Sequence, residues 1–306
     1  MAILITGGNG FLGRHVIRKL TKYLVDEPVI SLDTSFSFPS FGSDVIEEEI
    51  DILNLEDLVG FAEKHKVRMI VHLVSMLNNP SQKDPVSATR INIGGTVNVL
   101  EAARLASVKR VIYASSGAIY GQNPNKGITE DEPKEPTSIY GTTKLTGELY
   151  GRNYQKSYGL EFISLRITHI YGKGRERGFT KISQLIEKAA KGLRVSMTGG
   201  DQAYDLVYVK DVANAFCNAV MIKQLAHCVY NIAGGKLTTL NDLSEMIRIA
   251  LPAAEINLEG GIEEYRDKRG YLDISRGRED GVYKPEFDIE SGIQDYIKEI
   301  KDLNDA

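Results

Sequence analysis

Apolar side chains first crowd together at residues 2–6, AILIT, and comparable runs recur at 28–33 (PVISLD), 68–74 (RMIVHLV), 109–116 (KRVIYASS) and 161–167 (EFISLRI). Each is strand-length and nearly continuous, so both of its faces must be covered. Between these runs the apolar positions fall three and four apart, at Phe11 to Tyr23, 54–65, Pro85 to Ala106 and Ile139 to Tyr158. That spacing puts them on one face of a helix. Strands alternating with helices predict a parallel sheet sandwiched between helical layers. After Gly172 the rhythm breaks up. Helices are expected at about 179–191, 211–222, 240–250 and 289–301, with short strands near 206–209 and 228–233.

The link between the first strand and first helix, LITGGNGFLG, carries Gly7, Gly10 and Gly13. Glycines there let the backbone turn tightly and approach a pyrophosphate, which the helix N-terminus attracts through its free N–H groups. Asp33 closes the second strand, where a carboxylate can accept hydrogen bonds from ribose hydroxyls. It would repel an additional phosphate, and no arginine follows it, so NAD is favoured over NADP. The fold expected is thus α/β: a Rossmann-type doubly wound parallel sheet over residues 1–170. A smaller C-terminal α+β substrate lobe over 171–306 interleaves with it.

Composition narrows the function classes. The chain has 306 residues, is 25% charged and carries a net charge of -4, which gives no electrostatic reason to expect nucleic acid. No apolar run approaches 18 residues, and the first strand begins at Ala2, so neither a membrane span nor a signal peptide is expected. Cys217 and Cys228 form no CxxC pair and read as reduced thiols in a cytoplasmic protein. The five histidines lack zinc-ligand spacing, so no metal site is expected.

Two further stretches carry candidate chemistry. ASSGAIYG (114–121) ends a strand in two hydroxyls and then small residues. YGTTK puts Tyr140 and Lys144 four apart, on one helix face. With 15 tyrosines in the chain, about one such pair arises by chance, so position decides its meaning. The order is glycine turn, acidic strand end, serine strand end, then Tyr-x-x-x-Lys. It resembles the extended short-chain dehydrogenase/reductases, specifically the NAD-dependent epimerase/dehydratase family. The likeness extends to HLVS (72–75), NIGGTVNVLEAAR (92–104), LVYVKDVANA (206–215), YNIAGG (230–235) and YKPEFDIESGI (283–293).

That resemblance implies roles. Tyr140, as phenolate, would take a proton from a substrate hydroxyl as NAD accepts hydride. Lys144 would favour that phenolate, and Ser116 would hydrogen-bond the reacting oxygen. Ser115 is the weaker candidate, facing the cofactor or capping the strand. Besides the glycines, Tyr140 and Lys144, the resemblance places Asn9, Phe11, Leu12, Asp33, Asp51, Ile52, Leu73 and Asn92 at the cofactor. Met76, Ser116, Gly117, His169, Arg175 and Tyr204 would meet the substrate. The sugar dehydratases of the family have an acidic pair at 117–118. Gly117 and Ala118 cannot supply that acid and base, which argues against a dehydratase.

The chain also departs from the family. His169 stands where many nucleotide-sugar epimerases have asparagine, and Tyr204 where an arginine commonly grips the substrate diphosphate. Arg175, Arg177, Arg266 or Arg269 could supply that charge. The reading is an NAD-dependent nucleotide-diphosphate-sugar epimerase, with C4 the favoured carbon, working through a keto intermediate. Open alternatives are a net dehydrogenase of a small hydroxy compound and an NAD-binding regulator without turnover. The resemblance further implies a homodimer through helices 85–106 and 139–158. Ala102, Ala103, Ala106 and Gly147 would equally suit packing inside one subunit.

Overall fold

The computed structural model describes residues 2–24, 27–124, 127–175, 180–224, 226–262 and 269–304. The first half alternates β1 (Ala2–Thr6), α1 (Phe11–Tyr23), β2 (Val29–Asp33), β3 (Val45–Glu49), α2 (Leu55–Lys64) and β4 (Val67–His72). Two short helices follow, α3 (Asn78–Lys83) and α4 (Pro85–Ala88). A π-helical turn, Thr89–Gly95, joins α4 to α5 (Thr96–Leu105), so the expected long helix is a run of three windings. Then come β5 (Arg110–Ser116), a 3₁₀ turn at Gly117–Tyr120, α6 (Ile139–Tyr158) and β6 (Glu161–Ile167).

The remainder is β7 (His169–Tyr171), α7 (Lys181–Ala190), β8 (Val195–Thr198), β9 (Ala203–Tyr208), α8 (Val209–Met221), β10 (Val229–Ile232) and β11 (Leu237–Thr239). α9 (Leu240–Ala250), β12 (Ile256–Glu259), α10 (Ser275–Glu279) and α11 (Ile289–Asn304) complete it.

Seven strands form one parallel sheet in the order β10-β6-β5-β4-β1-β2-β3. The doubly wound expectation is met. One apolar layer joins Ile3, Ile5, Ile112, Ile163 and Leu165 to α1 and α8. The other joins Leu4, Ile70, Val111 and Phe162 to α2 and α5. β10 brings a late segment back to the edge of this sheet, and α8 packs beside α1 on one of its faces. The smaller lobe has its own core, where α7, α9 and α11 bury Leu185, Leu243 and Tyr296.

The chain direction reverses its strand order between β1 and β4. In such a sheet the carboxyl ends of the strands open a crevice at that point. The ends of β1, β2, β4, β5 and β6 carry the glycine turn, Asp33, Leu73–Met76, Ser116 and Thr168, respectively.

Candidate functional site

The cofactor side starts at the glycine turn. Gly7 has φ +73°, a left-handed conformation that L side chains rarely adopt. A Cβ on Gly13 would lie 2.2 Å from the Gly7 carbonyl oxygen and 2.7 Å from Gly8 Cα. The first turn of α1 therefore lies directly against the loop, an arrangement open to glycine alone. Asp33 is fixed beside it: Oδ2 accepts the Asn9 amide at 3.1 Å and Oδ1 the Thr34 amide at 2.8 Å. Asn9 is buried and donates through Nδ2 to the Ser35 carbonyl at 2.9 Å, tying the acidic strand end to the turn.

Arg14 also reaches this corner. It donates to Asn9 Oδ1 at 3.3 Å and to the Pro39 carbonyl at 2.9 Å, with Phe38 and Phe41 against its guanidinium. A search for arginine downstream of Asp33 misses it, because it arrives from α1. The glycine cradle and the oriented carboxylate fit a dinucleotide.

The other expected cofactor residues divide. Phe11 and Leu12 are half-buried in the first turn of α1, and Leu73 is half-buried at the end of β4. Asp51 is exposed and accepts the Leu53 amide at 2.9 Å, whereas Ile52 is buried against Gly95 of the π turn. Asn92 spends its amide inside the protein. Oδ1 accepts the Met76 N–H at 2.7 Å, and Nδ2 donates to the Met76 carbonyl and Thr143 Oγ1, both at 3.0 Å. It fixes the loop after β4 against α6.

α6 carries Tyr140 and Lys144. Ser138 caps it by accepting the Gly141 amide at 3.1 Å. Gly141 lets its first turn approach the 117–120 segment, since a Cβ there would sit 2.6 Å from the Ala118 carbonyl oxygen. One turn beyond Lys144, Glu148 forms a buried ion pair with Arg166 of β6, with contacts of 2.7 and 3.0 Å. Arg166 also donates to the Tyr120 hydroxyl and the Glu130 carbonyl. Such a pair is costly to break singly, which holds α6 in one register on the sheet. Gly147 packs against Tyr113 and Ala102 and Ala103 are buried, so these small residues serve packing within the subunit.

Tyr140 meets hydroxyls from two strand ends, Ser116 after β5 and Ser75 after β4. Burial raises the phenol above its ordinary value; Ser116, the Arg175 charge and Ser75 pull it back. Ser75 was not anticipated; it lies in the segment between β4 and α3. Ser116 Oγ accepts the Ala118 amide at 3.1 Å, which leaves its own proton to donate elsewhere. Ser115, its neighbour in β5, is 3% exposed. Strand alternation buries it on the opposite face, beside Glu148.

Lys144 is 2% exposed, donates to the Ala114 carbonyl at 2.8 Å and lies 5.7 Å from the Tyr140 ring centre. Burial pushes its pKa down to about 7 from 10.5. Between those values the unfolded chain holds a proton that the folded chain lacks, so the wild type gains stability as pH rises through that window. Lys144→Met lacks this slope. Melting curves of the cofactor-free proteins should therefore move in favour of the wild type from about pH 7 to 10.5, by on the order of several kcal/mol. Parallel curves would mean that Lys144 keeps an ordinary pKa.

On the substrate side, His169 is half-buried and meets the Tyr204 ring edge-on at 5.1 Å, while Tyr204 itself is buried. Arg175 donates to the Ile170 carbonyl at 2.6 Å and lies over the Phe11 ring at 5.6 Å. Met76 is half-buried beside Asn92. Arg269 donates to the Gly117 carbonyl at 2.9 Å, next to Ser116. Arg177 and Arg266 lie outside the described residues. No helix among the described residues is long and apolar enough to cross a membrane.

Comparison with known proteins agrees with this geometry. The family model of the NAD dependent epimerase/dehydratase family matches residues 3–233. UDP-glucose 4-epimerase of Mycolicibacterium smegmatis is 30% identical over 307 residues, 96% of each chain. Among solved structures, the Thermotoga maritima UDP-glucose 4-epimerase with UDP-glucose has a TM-score of 0.89 at 28% identity, covering 99% of this chain and 100% of that one. The Thermus thermophilus UDP-glucose 4-epimerase complex with NAD has a TM-score of 0.87 at 26% identity, covering 98% and 99%.

Proposed function

The chain belongs to the NAD-dependent epimerase/dehydratase family, and from that premise we propose that it inverts C4 of a nucleotide-diphosphate sugar. The observation that carries this reading is the meeting of Tyr140 with Ser116 and Ser75 at the strand ends that face the glycine turn. The relatives' activities on UDP-glucose support the substrate class.

The Gly7–Gly13 turn would hold the diphosphate of NAD and Asp33 its ribose. Bound there, NAD supplies a reversible hydride acceptor. The protein's part is to handle one proton and one oxygen. Tyr140 Oη, as phenolate, takes the proton of the C4 hydroxyl and later returns it. Ser116 Oγ, already accepting from the Ala118 amide, donates to the C4 oxygen as it becomes a ketone. Lys144 positions the phenol side of α6 through its bond to β5. Gly117 and Ala118 supply no acid or base for loss of water.

Exposed Leu105 on α5, with Leu149, Tyr150 and Tyr158 on α6, suits pairing with a second copy. The free thiols Cys217 and Cys228 suit a reducing cytoplasm.

The test is the nucleotide content of freshly purified protein, paired with an assay of UDP-glucose conversion to UDP-galactose. Near-stoichiometric NAD with interconversion is expected. An empty protein that accumulates NADH on small hydroxy acids would overturn the epimerase reading, and bound NADP would overturn the role given to Asp33.

A further inference from the structure

We propose that Tyr113 is a positioning residue for this reaction, the face of its ring holding the Lys144 ammonium beside Tyr140 in place of a carboxylate. This rests on the roles given to Tyr140 and Lys144 above.

Lys144 is a buried cation without a counter-ion. Its ammonium is shut away from water, and its hydrogen bond goes to a neutral group, the Ala114 carbonyl at 2.8 Å. Among the described residues no carboxylate pairs with it. Glu148, the acid one turn further along α6, is committed elsewhere: its oxygens accept from Ser164 Oγ and from Arg166. Burial alone draws the ammonium toward its neutral form, with a pKa of about 7. What the charge does meet is two aromatic rings. Nζ lies 4.9 Å from the Tyr113 ring centre, nearer than the 5.7 Å to Tyr140. A ring face is negative and attracts a cation, most strongly where water is excluded.

The Tyr113 ring is fixed by its neighbours. β4 and β5 pair it directly across from His72, and the two rings stack at 5.8 Å and 29°. Phe162 of β6 flanks it at 5.9 Å. A side chain at position 147 of α6 would run into its hydroxyl, so Gly147 leaves the ring its place. His72 is pinned in turn. Thr96 Oγ1 gives its proton to the Asn92 carbonyl at 2.6 Å, so at 3.1 Å it accepts from His72 Nε2. Nδ1 then accepts from Thr6 Oγ1 at 2.7 Å. One ring proton satisfies both nitrogens, and burial together with the Lys144 charge holds the imidazole pKa down to about 3. Burial also keeps the Tyr113 phenol protonated, well above its ordinary value. The groups around Lys144 are therefore two phenols, a neutral imidazole and an acid already neutralised by Arg166. A charged Lys144 favours the Tyr140 phenolate, so a ring that steadies the ammonium acts on the proton step at second hand.

The experiment compares the wild type with Tyr113→Phe, Tyr113→Leu and a trifluorinated phenylalanine placed at position 113, all NAD-loaded. Fluorine keeps the shape of the ring and drains the charge from its face. kcat and KM for UDP-glucose are measured across pH. The Lys144 Nζ titration is followed by NMR, its signal identified by its loss in Lys144→Met. Bound NAD and a retained melting transition establish folding, and the fluorinated ring keeps the test open should Tyr113→Leu fail to fold. Tyr113→Phe, which keeps the ring face, should keep the wild-type pH profile. The fluorinated and leucine proteins should lose about 2- to 30-fold in kcat at neutral pH, the span of a cation–π contact, with KM little moved. Their rising limb should shift to higher pH, and Lys144 should titrate at lower pH. A fluorinated protein that matches Tyr113→Phe in both readouts would overturn the proposal, as would losses equal at all pH with the Lys144 titration unmoved. A Lys144 titration that follows the fluorination, in proteins that convert no nucleotide sugar, would sink the epimerase reading and leave the hold of Tyr113 standing.

Discussion

Tyr140→Phe is expected to lower kcat by about 10²- to 10⁴-fold, the usual weight of a positioned acid–base group, while the protein still carries NAD. The change deletes one oxygen and keeps the ring that lies 5.7 Å from the Lys144 ammonium. α6 should stay in register, because its anchors are the Ser138 cap and the Glu148–Arg166 pair rather than the phenol. What disappears is the atom that Ser116 and Ser75 surround. Burial holds the phenol above its ordinary pKa, so the phenolate is scarce near neutrality in the cofactor-free protein. The wild-type kcat/KM should accordingly climb as pH rises, and the variant's residual rate should lack that limb. Steady-state rates across pH, with NAD released and quantified from the same preparation, decide the matter. Activity within tenfold of wild type would remove Tyr140 from the proton path.

Gly13→Ala should be nearly as damaging, through the cofactor. The added methyl would meet the Gly7 carbonyl oxygen at 2.2 Å and Gly8 at 2.7–2.8 Å, all of it backbone. Relief requires α1 to draw back from the loop, which would move the N–H groups proposed above to hold the diphosphate. A loss of about 1–3 kcal/mol in stability is expected from overpacking. A fall in NAD affinity of about 10- to 100-fold should accompany it if one or two phosphate contacts are lost. Gly60→Ala is the control: it lies within α2, and beyond its chain neighbours and the backbone of its own helix nothing comes within 4 Å of the added carbon. There alanine should be neutral or stabilise by about 0.5–1 kcal/mol. Equal NAD affinity in the two variants would mean that the turn tolerates a wider gap than its geometry suggests.

The sheet was legible because β1, β4, β5 and β6 are apolar on both faces, and such runs have few other uses. β3 escaped notice because Val45–Glu49 ends in three glutamates. It is an edge strand with one solvated face, and it reads as loop. The π turn escaped because its periodicity differs from an α-helix by one residue over a short stretch. β7, β8, β11 and β12 are three or four residues long, too short to set a rhythm.

Within the site, spacing along one element was readable, as for Tyr140 and Lys144 or the three glycines. Contacts between elements were not. Arg14 reaches the Asp33 corner because Phe38 and Phe41 fold over it, and Arg269 finds Gly117 from 152 positions away. The family pattern singles out Ser116 over Ser115 in the sequence, but the burial of Ser115 beside Glu148 is a contact between elements.

The return of β10 to the sheet sets an order of events during synthesis. Chains emerge from the ribosome N-terminus first, and local units fold as they appear. β1 to β6 can pair while the rest is still being made. The open flank of β6, running through Phe162, Ile163, Leu165 and Ile167, waits until β7, β8, β9 and both intervening helices have been translated. An exposed apolar flank of that kind invites pairing with another nascent chain. Truncations ending between β6 and β10 should therefore form inclusion bodies, whereas chains extending past Ile232 have the means to seal themselves.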